Sequence, residues 1–260
     1  MNIADQWATI SVLWGRDLSR FLRKPSRLVG AFMQPIIFWL MIGGGLTSTF
    51  KIAGAESLNY EQYFFPGVVV MLVLFAAIFG TITVIEDRHE GFLQSVLIAP
   101  GSRSALVLGK ALGVSSVGLI QAIAFLALAP MAGFTYLSID WLNLFFFLLL
   151  GSVALSTFGF ALAWWLDSSQ AYHAIMSIIL IPGWILSGAM FPINHDNVTL
   201  SWIMSCNPMS YIVDGVRRSF YDELPLGTTV SNSLLTDLLV VIGFTLFSLV
   251  WANVIVTRSK

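Results

Sequence analysis

Six long stretches free of Asp, Glu, Lys and Arg constrain this chain more than any other feature of its sequence. Each has about 20 residues or more, the length at which an α-helix crosses the hydrocarbon core of a bilayer. Backbone amides and carbonyls find no water there, so each stretch is expected to be helical. With their flanking residues, the six predicted transmembrane spans are 28–50, 63–85, 104–131, 141–166, 171–191 and 234–257.

Composition supports a membrane protein and excludes several other classes. Of the 260 residues, 57% are hydrophobic and only 10% are charged, whereas soluble domains carry roughly 25% charged residues. The formal net charge of -1 gives no electrostatic basis for binding nucleic acid. The single cysteine, Cys206, forms no intrachain disulfide, and no His/Cys cluster has metal-ligand spacing. No cofactor or metal is therefore expected on this chain.

The basic residues predict the orientation in the membrane. Cytoplasmic segments of membrane proteins carry an excess of Lys and Arg. With six spans, most basic residues fall on the side of the two termini, which are both predicted to be cytoplasmic. These residues are Arg16, Arg20, Arg23, Lys24, Arg27, Arg88, Arg103, Lys110, Arg258 and Lys260. The other side holds Lys51, Arg217 and Arg218.

Residues 1–26 are predicted to form an amphipathic helix at the membrane interface. Trp7 and Trp14 belong to an apolar stripe with helical spacing, while Arg16, Arg20 and Arg23 occupy other faces. This pattern is typical of helices that lie in the interface plane. A cytosolic helix packed on a partner protein is the alternative.

The segment 86–100 is the longest polar interruption between predicted spans on the cytoplasmic side. Its acidic start suits a helix N-terminus, and Phe92, Leu93, Val96 and Leu97 would line one face of a short amphipathic helix. A solvated interspan loop is the alternative. The residues of interest are Glu86, Asp87, Arg88, His89, Glu90, Gly91, Phe92 and Leu93.

Two features mark the opposite side of the membrane. The pair Pro182-Gly183 is predicted to break helical hydrogen bonding within the fifth span. Residues 192–233 are too apolar for a free loop, so surface-lying or re-entrant helices are predicted there. Asp214 and Arg218 stand four residues apart and would form a weak ion pair on a helix.

Three motifs in this order resemble the permeases of type-2 ABC (ABC-2) exporters, which include drug, polysaccharide and nodulation-factor exporters. They are EDRHEGFLQSVLIAP at 86–100, PGWILSGAMFP at 182–192, and NPMSY at 207–211 followed by DGVR at 214–217. The first is similar to the acidic, glycine-containing coupling segment of the family. His89 departs from the charged or polar residue expected at its position.

The resemblance implies a six-helix permease in the bacterial inner membrane, paired with a second copy of itself as a homodimer and with a separate ATPase subunit. Residues 86–93 would then contact the ATPase, which would bind the ATP and Mg. This division agrees with the sequence, which contains no G-x-x-x-x-G-K-[ST] motif for nucleotide phosphates. The chain is therefore expected to be a transport subunit and not an enzyme.

The resemblance also implies that the second and fifth spans line the interface between the two copies of the permease. The candidates for the pathway or its gate are Phe75, Phe79, Pro182, Gly183, Trp184 and Met190. The charge-free stretches inside the predicted spans contain no carboxylate of the kind that a proton-coupled carrier uses. His173 and His195 have no partner at catalytic or metal spacing.

The substrate class stays open at this point between an amphiphilic, lipid-linked, glycan or drug-like molecule. Two other functional classes also stay open. One is a membrane-embedded enzyme, and the other is an assembly subunit that shares the fold without transporting.

Overall fold

The computed structural model describes residues 3–23, 25–46, 58–98, 101–193, 197–221, 224, 228–230 and 233–258. Several residues of the sequence predictions lie outside these ranges: Lys24, 47–50 of the first span, Lys51, Pro100, His195, parts of 192–233, and Lys260. Within the described ranges the chain is all-helical, without strands.

Eleven α-helices are present in the described part of the chain. They are α1 (Ile3–Leu22), α2 (Pro25–Phe38), α3 (Gly44–Leu46), α4 (Tyr60–His89), α5 (Phe92–Ile98), α6 (Arg103–Leu126), α7 (Trp141–Leu166), α8 (Ser169–Trp184), α9 (Val198–Cys206), α10 (Pro208–Arg218) and α11 (Leu234–Arg258). Two π-helical segments, Trp39–Gly43 and Ile185–Ala189, follow α2 and α8, and a 3₁₀ turn covers Ala129–Ala132.

Five helices in the described ranges are long and apolar enough to cross a membrane: α4, α6, α7, α8 with its π-helical continuation, and α11. In the region of the first predicted span, the apolar helix Phe32–Leu46 is shorter than these five. The third predicted span, 104–131, begins one residue earlier and ends at Leu126, because the chain turns there before the 3₁₀ segment with Pro130.

Helix α4 is the centre of the bundle. It packs against α6, α7 and α8, and also against α10. Close approach depends on glycine: a Cβ at Gly67 would lie 2.5 Å from the carbonyl oxygen of Ala189, and a Cβ at Gly80 would lie 2.6 Å from Val114. At the periphery, α11 packs on α7 and leaves apolar side chains such as Leu239 and Phe247 exposed.

Helix α1 lies along α6 and is held there by small residues. Leu13 is buried at this contact, and a Cβ at Gly109 would lie 3.0 Å from the Cβ of Leu13. A Cβ at Gly113 would lie 2.9 Å from the Cβ of Asp17. The two glycines, four residues apart, thus let two backbones approach closely.

The tryptophans and arginines of α1 that formed the predicted amphipathic pattern have different surroundings. Trp7 is exposed, and Trp14 is partly exposed and donates a hydrogen bond to the hydroxyl of Ser116 (2.9 Å). Arg16 and Arg20 were expected on faces away from the apolar stripe, but they turn into the protein, whereas Arg23 is exposed.

The predicted start of the short helix in segment 86–100 is wrong. Glu86 and Asp87 belong to the last turns of α4, which continues to His89. The chain then turns at Glu90 and Gly91, where Gly91 has φ +76°, a left-handed conformation that glycine adopts without steric cost. The short helix α5 begins only at Phe92, with Leu93 buried.

The predicted break at Pro182-Gly183 is also displaced. Helix α8 continues through both residues, and the irregular segment follows at Ile185–Ala189, where Gly188 has φ +78°. Pro182 removes one backbone hydrogen bond of the helix without ending it. The sharp change of direction occurs at Gly188, because glycine adopts the left-handed conformation without steric cost.

Candidate functional site

A group of five charged residues joins three helices at the end of the bundle where α1 lies. This α1 charge cluster consists of Arg16, Asp17, Arg20, Asp87 and Lys110. Both Nη atoms of Arg16 bind the carboxylate of Asp87, at 2.5 and 2.7 Å. Arg20 donates to the same carboxylate at 3.0 Å. Lys110 donates to Asp17 at 3.0 Å and also to Asp87.

Three members of the cluster, Asp17, Asp87 and Lys110, are buried inside the protein, whereas the side chains of Arg16 and Arg20 are each 25% exposed. Lys110 is 1% exposed although it lies in the otherwise apolar helix α6, and Asp87 is fully buried. Removing charges from water costs several kcal/mol per ion unless partners compensate. Burial raises the pKa of Asp17, and the nearby Lys110 opposes this shift. The chain thus keeps a costly set of charges at one position.

Arg16, Arg20 and Asp87 were among the functional residues predicted from the sequence, whereas Asp17 and Lys110 were missed. A signal was available for Lys110, because a lysine inside an apolar membrane helix marks a functional position by default. No comparable signal distinguished Asp17, since its partner stands 93 positions away in the sequence.

The α1 charge cluster also holds the short helix α5. The guanidinium of Arg16 lies 3.6 Å from the centre of the Phe92 ring, a cation–π contact. Leu93 is buried beside it, whereas the far end of α5 is open, with Ile98 86% exposed. Leu97, which belongs to the predicted apolar face of this helix, is exposed as well.

The remaining residues of the predicted coupling segment point in other directions. Arg88 donates to the carbonyl of Trp164 at 3.0 Å and lies 3.5 Å from the carboxylate of Asp167. His89 lies 3.2 Å from the Asp167 carbonyl, so both residues contact the tight turn between α7 and α8. Glu90 is exposed and Glu86 is half-buried.

A cavity of about 550 Å³ adjoins the cluster between α1, α2, α4, α6 and α8. Phe75 and Phe79 both line it, with ring centres 6.0 Å apart, and His173 lies 6.4 Å from Phe79. The polar lining includes Asp17, Arg20, Gln34, Thr83, Glu86 and Gln121.

A second buried cation lies at the opposite end of the bundle, where α10 inserts among α4, α7 and α11. Arg217 donates to the carbonyl of Gly188 at 2.8 Å and to that of Thr228, and stacks on Tyr63 at 4.4 Å. Tyr63 also donates to the Gly188 carbonyl, at 2.6 Å. Tyr63, Gly188 and Arg217 are called the Arg217 clamp below.

The six predicted pathway residues fall into separate places. Phe75 and Phe79 line the cavity, whereas Trp184 is buried near the Arg217 clamp and donates to the carbonyl of Gly67 at 3.0 Å. The carbonyl of Met190 accepts from Tyr60 (2.8 Å). Of the remaining two, Pro182 is exposed, and the carbonyl of Gly183 accepts from Asn207 at 2.6 Å.

The predicted partner of Arg218 differs from the one in the structure. Arg218 binds Asp237 of α11 at 2.7 Å, and Asp214 accepts a hydrogen bond from the amide of Val230, also at 2.7 Å. The contact between α10 and α11 thus replaces the expected contact within one helix. Among the described residues, no group of three His, Cys, Asp or Glu side chains could hold a metal ion.

Comparison with known proteins identifies the class. Residues 8–221 match the model of the ABC-2 type transporter family, so the chain belongs to that family. It is a multi-pass membrane protein and a transporter permease subunit.

Three relatives illustrate the range of the family. The chain is 29% identical over 210 residues to the transport permease ycf38 of Cyanophora paradoxa, covering 79% of this chain and 72% of the relative. It is 21% identical to nodulation protein J of Rhizobium leguminosarum bv. viciae, covering 79% and 77%. It is 25% identical to the multidrug ABC transporter permease YbhR of Escherichia coli K12, covering 68% and 48%.

Proposed function

We propose that this chain is the membrane-spanning subunit of an ATP-driven exporter and that a separate ATPase binds to α5. The family assignment and the relatives named as permeases support a transport subunit. The proposed substrate is an amphiphilic, lipid-linked, glycan or drug-like molecule that leaves the cytoplasm. Two copies of the chain would form the working unit. ATP and Mg would bind the ATPase.

The proposed topology has six spans in the bacterial inner membrane, with both termini in the cytoplasm. The five long apolar helices supply five spans, and the apolar helix Phe32–Leu46 with its preceding turns supplies the first. The basic residues of α1, Arg88, Arg103 and Arg258 then share the cytoplasmic side, as positively charged segments do in membrane proteins.

One observation carries the proposed mechanism: α5 is exposed at its far end and fixed at its near end. Ile98 and Leu97 offer an apolar contact for a partner. Phe92 contacts Arg16, which binds Asp87 at the end of α4. A force on α5 would therefore be transmitted to both α1 and α4, because the paired charges fix the positions of these helices relative to each other.

Movement of α4 would then open the opposite end. Helix α4 carries Tyr63, which shares the carbonyl of Gly188 with Arg217. Release of this carbonyl would free the π-helical segment at the end of α8. The clamp would thus act as the outer gate of the pathway.

Co-purification tests the proposal. The chain is extracted in detergent together with the ATPase encoded nearest to it, and wild type is compared with Glu90→Lys/Ile98→Glu, which changes only exposed side chains. Stoichiometric ATPase with wild type and its loss in the variant are expected. Leu137→Glu, at a fully exposed position between the end of α6 and the start of α7, is the matched control and is expected to retain the ATPase. A wild-type preparation without ATPase contradicts the proposal.

A further inference from the structure

We infer that the cavity beside the α1 charge cluster binds an amphiphilic amine. The inference deepens the proposed function and rests on it in treating this ligand as the exported molecule. The cavity is large enough for a small organic molecule, at about 550 Å³. Its location between α1, α2, α4, α6 and α8 places it within one copy of the chain.

The two ends of the cavity differ in chemistry. Phe75, Phe79, Val114 and Val117 supply an apolar wall on α4 and α6. Asp17, Arg20 and Glu86 supply a charged end next to the α1 charge cluster. An amphiphile matches this division, because its chain is removed from water while its head group keeps polar partners.

The carboxylates at the charged end favour a cation. Two carboxylates, of Asp17 and Glu86, line the cavity together with one guanidinium, that of Arg20, which donates to Asp87. Counted with the rest of the α1 charge cluster, this end of the cavity is neutral. An ammonium is therefore favoured by the carboxylate oxygens that line the cavity, and not by the net charge.

One buried atom requires a hydrogen-bond donor. The Oδ2 atom of Asp17 has no hydrogen-bond partner among the described residues, although Asp17 is only 9% exposed. Its other oxygen, Oδ1, accepts from Lys110. A buried carboxylate oxygen left unpaired is costly, and an N–H of a bound amine would satisfy it.

The aromatic residues add to the selection for an amine. Phe75 and Phe79 meet nearly edge to face, with an interplanar angle of 65°. An ammonium within about 6 Å of such a ring is attracted by the electron density of its face. A neutral alcohol of equal length would keep the apolar contacts and lose this attraction.

Photolabelling tests the inference in the full-length chain in lipid nanodiscs, without ATP or ATPase. The probes are dodecylamine carrying a diazirine and dodecanoic acid carrying the same group, with unlabelled dodecylamine as competitor. The amine is expected to label peptides of α4 and α6, with the acid labelling them about tenfold less. In Asp17→Asn, labelling by the amine is expected to fall about tenfold, as for loss of a charged hydrogen bond.

Asp5→Asn is the matched control, because it removes the same charge from the same helix away from the cavity, and it is expected to label like wild type. A second variant, Val117→Trp, fills the cavity and leaves the α1 charge cluster intact, so it decides the question even if Asp17→Asn fails to fold. It is expected to abolish labelling of α4.

Equal labelling by the acid, or full labelling of Val117→Trp, would overturn the inference. This experiment needs no ATPase, so its failure leaves the proposed export function standing. A wild-type preparation without ATPase in the co-purification would contradict the export function without affecting the amine site.

Discussion

The two ends of the bundle hold buried cations in different ways. In the α1 charge cluster, Lys110 and Arg16 are held by carboxylates on other helices. In the Arg217 clamp, the arginine is held by two backbone carbonyls and an aromatic ring. The first arrangement depends on side-chain charge, whereas the second depends on backbone shape. In the proposed mechanism, the cluster would transmit force without changing shape, and the clamp would open as the π-helical segment is freed.

Removal of the Asp87 carboxylate is expected to have the largest effect among the variants that test this difference between the two ends. Asp87→Ala leaves Arg16, Arg20 and Lys110 with an unbalanced buried charge, so the free energy of unfolding is expected to fall by about 3–5 kcal/mol. Thermal unfolding in nanodiscs measures the change. The double variant Asp87→Leu/Lys110→Met is expected to recover part of the loss. If Asp87→Ala were as stable as wild type, the cluster would not be important for stability.

Arg217→Lys tests the clamp at the other end. Lysine keeps the charge but lacks the planar fork that reaches two carbonyls and stacks on Tyr63. A loss of about 1.5–3 kcal/mol is expected from the lost charged hydrogen bonds. The same unfolding assay measures it, and Arg103→Lys serves as a control, because Arg103 donates to carbonyls near the exposed end of α11. An equal loss in both variants would contradict a special role for the clamp.

Gly188→Ala tests whether backbone shape matters at the clamp. Alanine at φ +78° is strained by roughly 1–2 kcal/mol, so the variant is expected to favour the open outer gate. Accessibility of Met204→Cys to a membrane-impermeant thiol reagent, in a Cys206→Ser background, measures the opening, because Met204 is buried beside Gly188. Gly243→Ala on α11 is the control, since no atom lies within 4 Å of its added Cβ. Unchanged accessibility in Gly188→Ala would contradict the gate.

Arg16→Lys has the smallest expected effect. It keeps one charged contact to Asp87 and weakens the stacking on Phe92, which is worth about 0.5–1 kcal/mol. Stability is expected to change little, while ATP-dependent transport by the complex falls, because α5 is held less firmly. Arg23→Lys, at an exposed position, is expected to transport like wild type. Equal transport by both variants would indicate that the contact with Phe92 does not matter.

The helical architecture could be predicted from sequence because apolar length and the lack of charge determine where helices lie in a bilayer. The fourth predicted span, 141–166, coincides with α7. The positions where the helices end or bend were predicted wrongly for a local reason. The chain turns at Gly91 and Gly188, where each glycine has a left-handed conformation. Pro182 and the acidic residues near Glu86 gave stronger but misleading signals in the sequence.

The α1 charge cluster could not be predicted as a unit, because its contacts join residues far apart in the chain. Arg16 and Asp87 are 71 positions apart, and Lys110 and Asp17 are 93 positions apart. The same limit applies to Arg217, whose backbone partners give no signal in a sequence. Phe75 and Phe79 were predicted from the resemblance to the family. They line the same cavity, as side chains four residues apart on one helix face can do.

The central claim is that α1 and α5 move as one body when an ATPase acts on them. Spin labels at Val12→Cys on α1 and Gln94→Cys on α5, both at exposed positions, in a Cys206→Ser background, report the distance between the two helices. The distance is measured in the complex with the ATPase, with and without ATP. The account predicts a single distance that ATP leaves unchanged in wild type and that broadens in Arg16→Ala. A distance that shifts with ATP in wild type would contradict it.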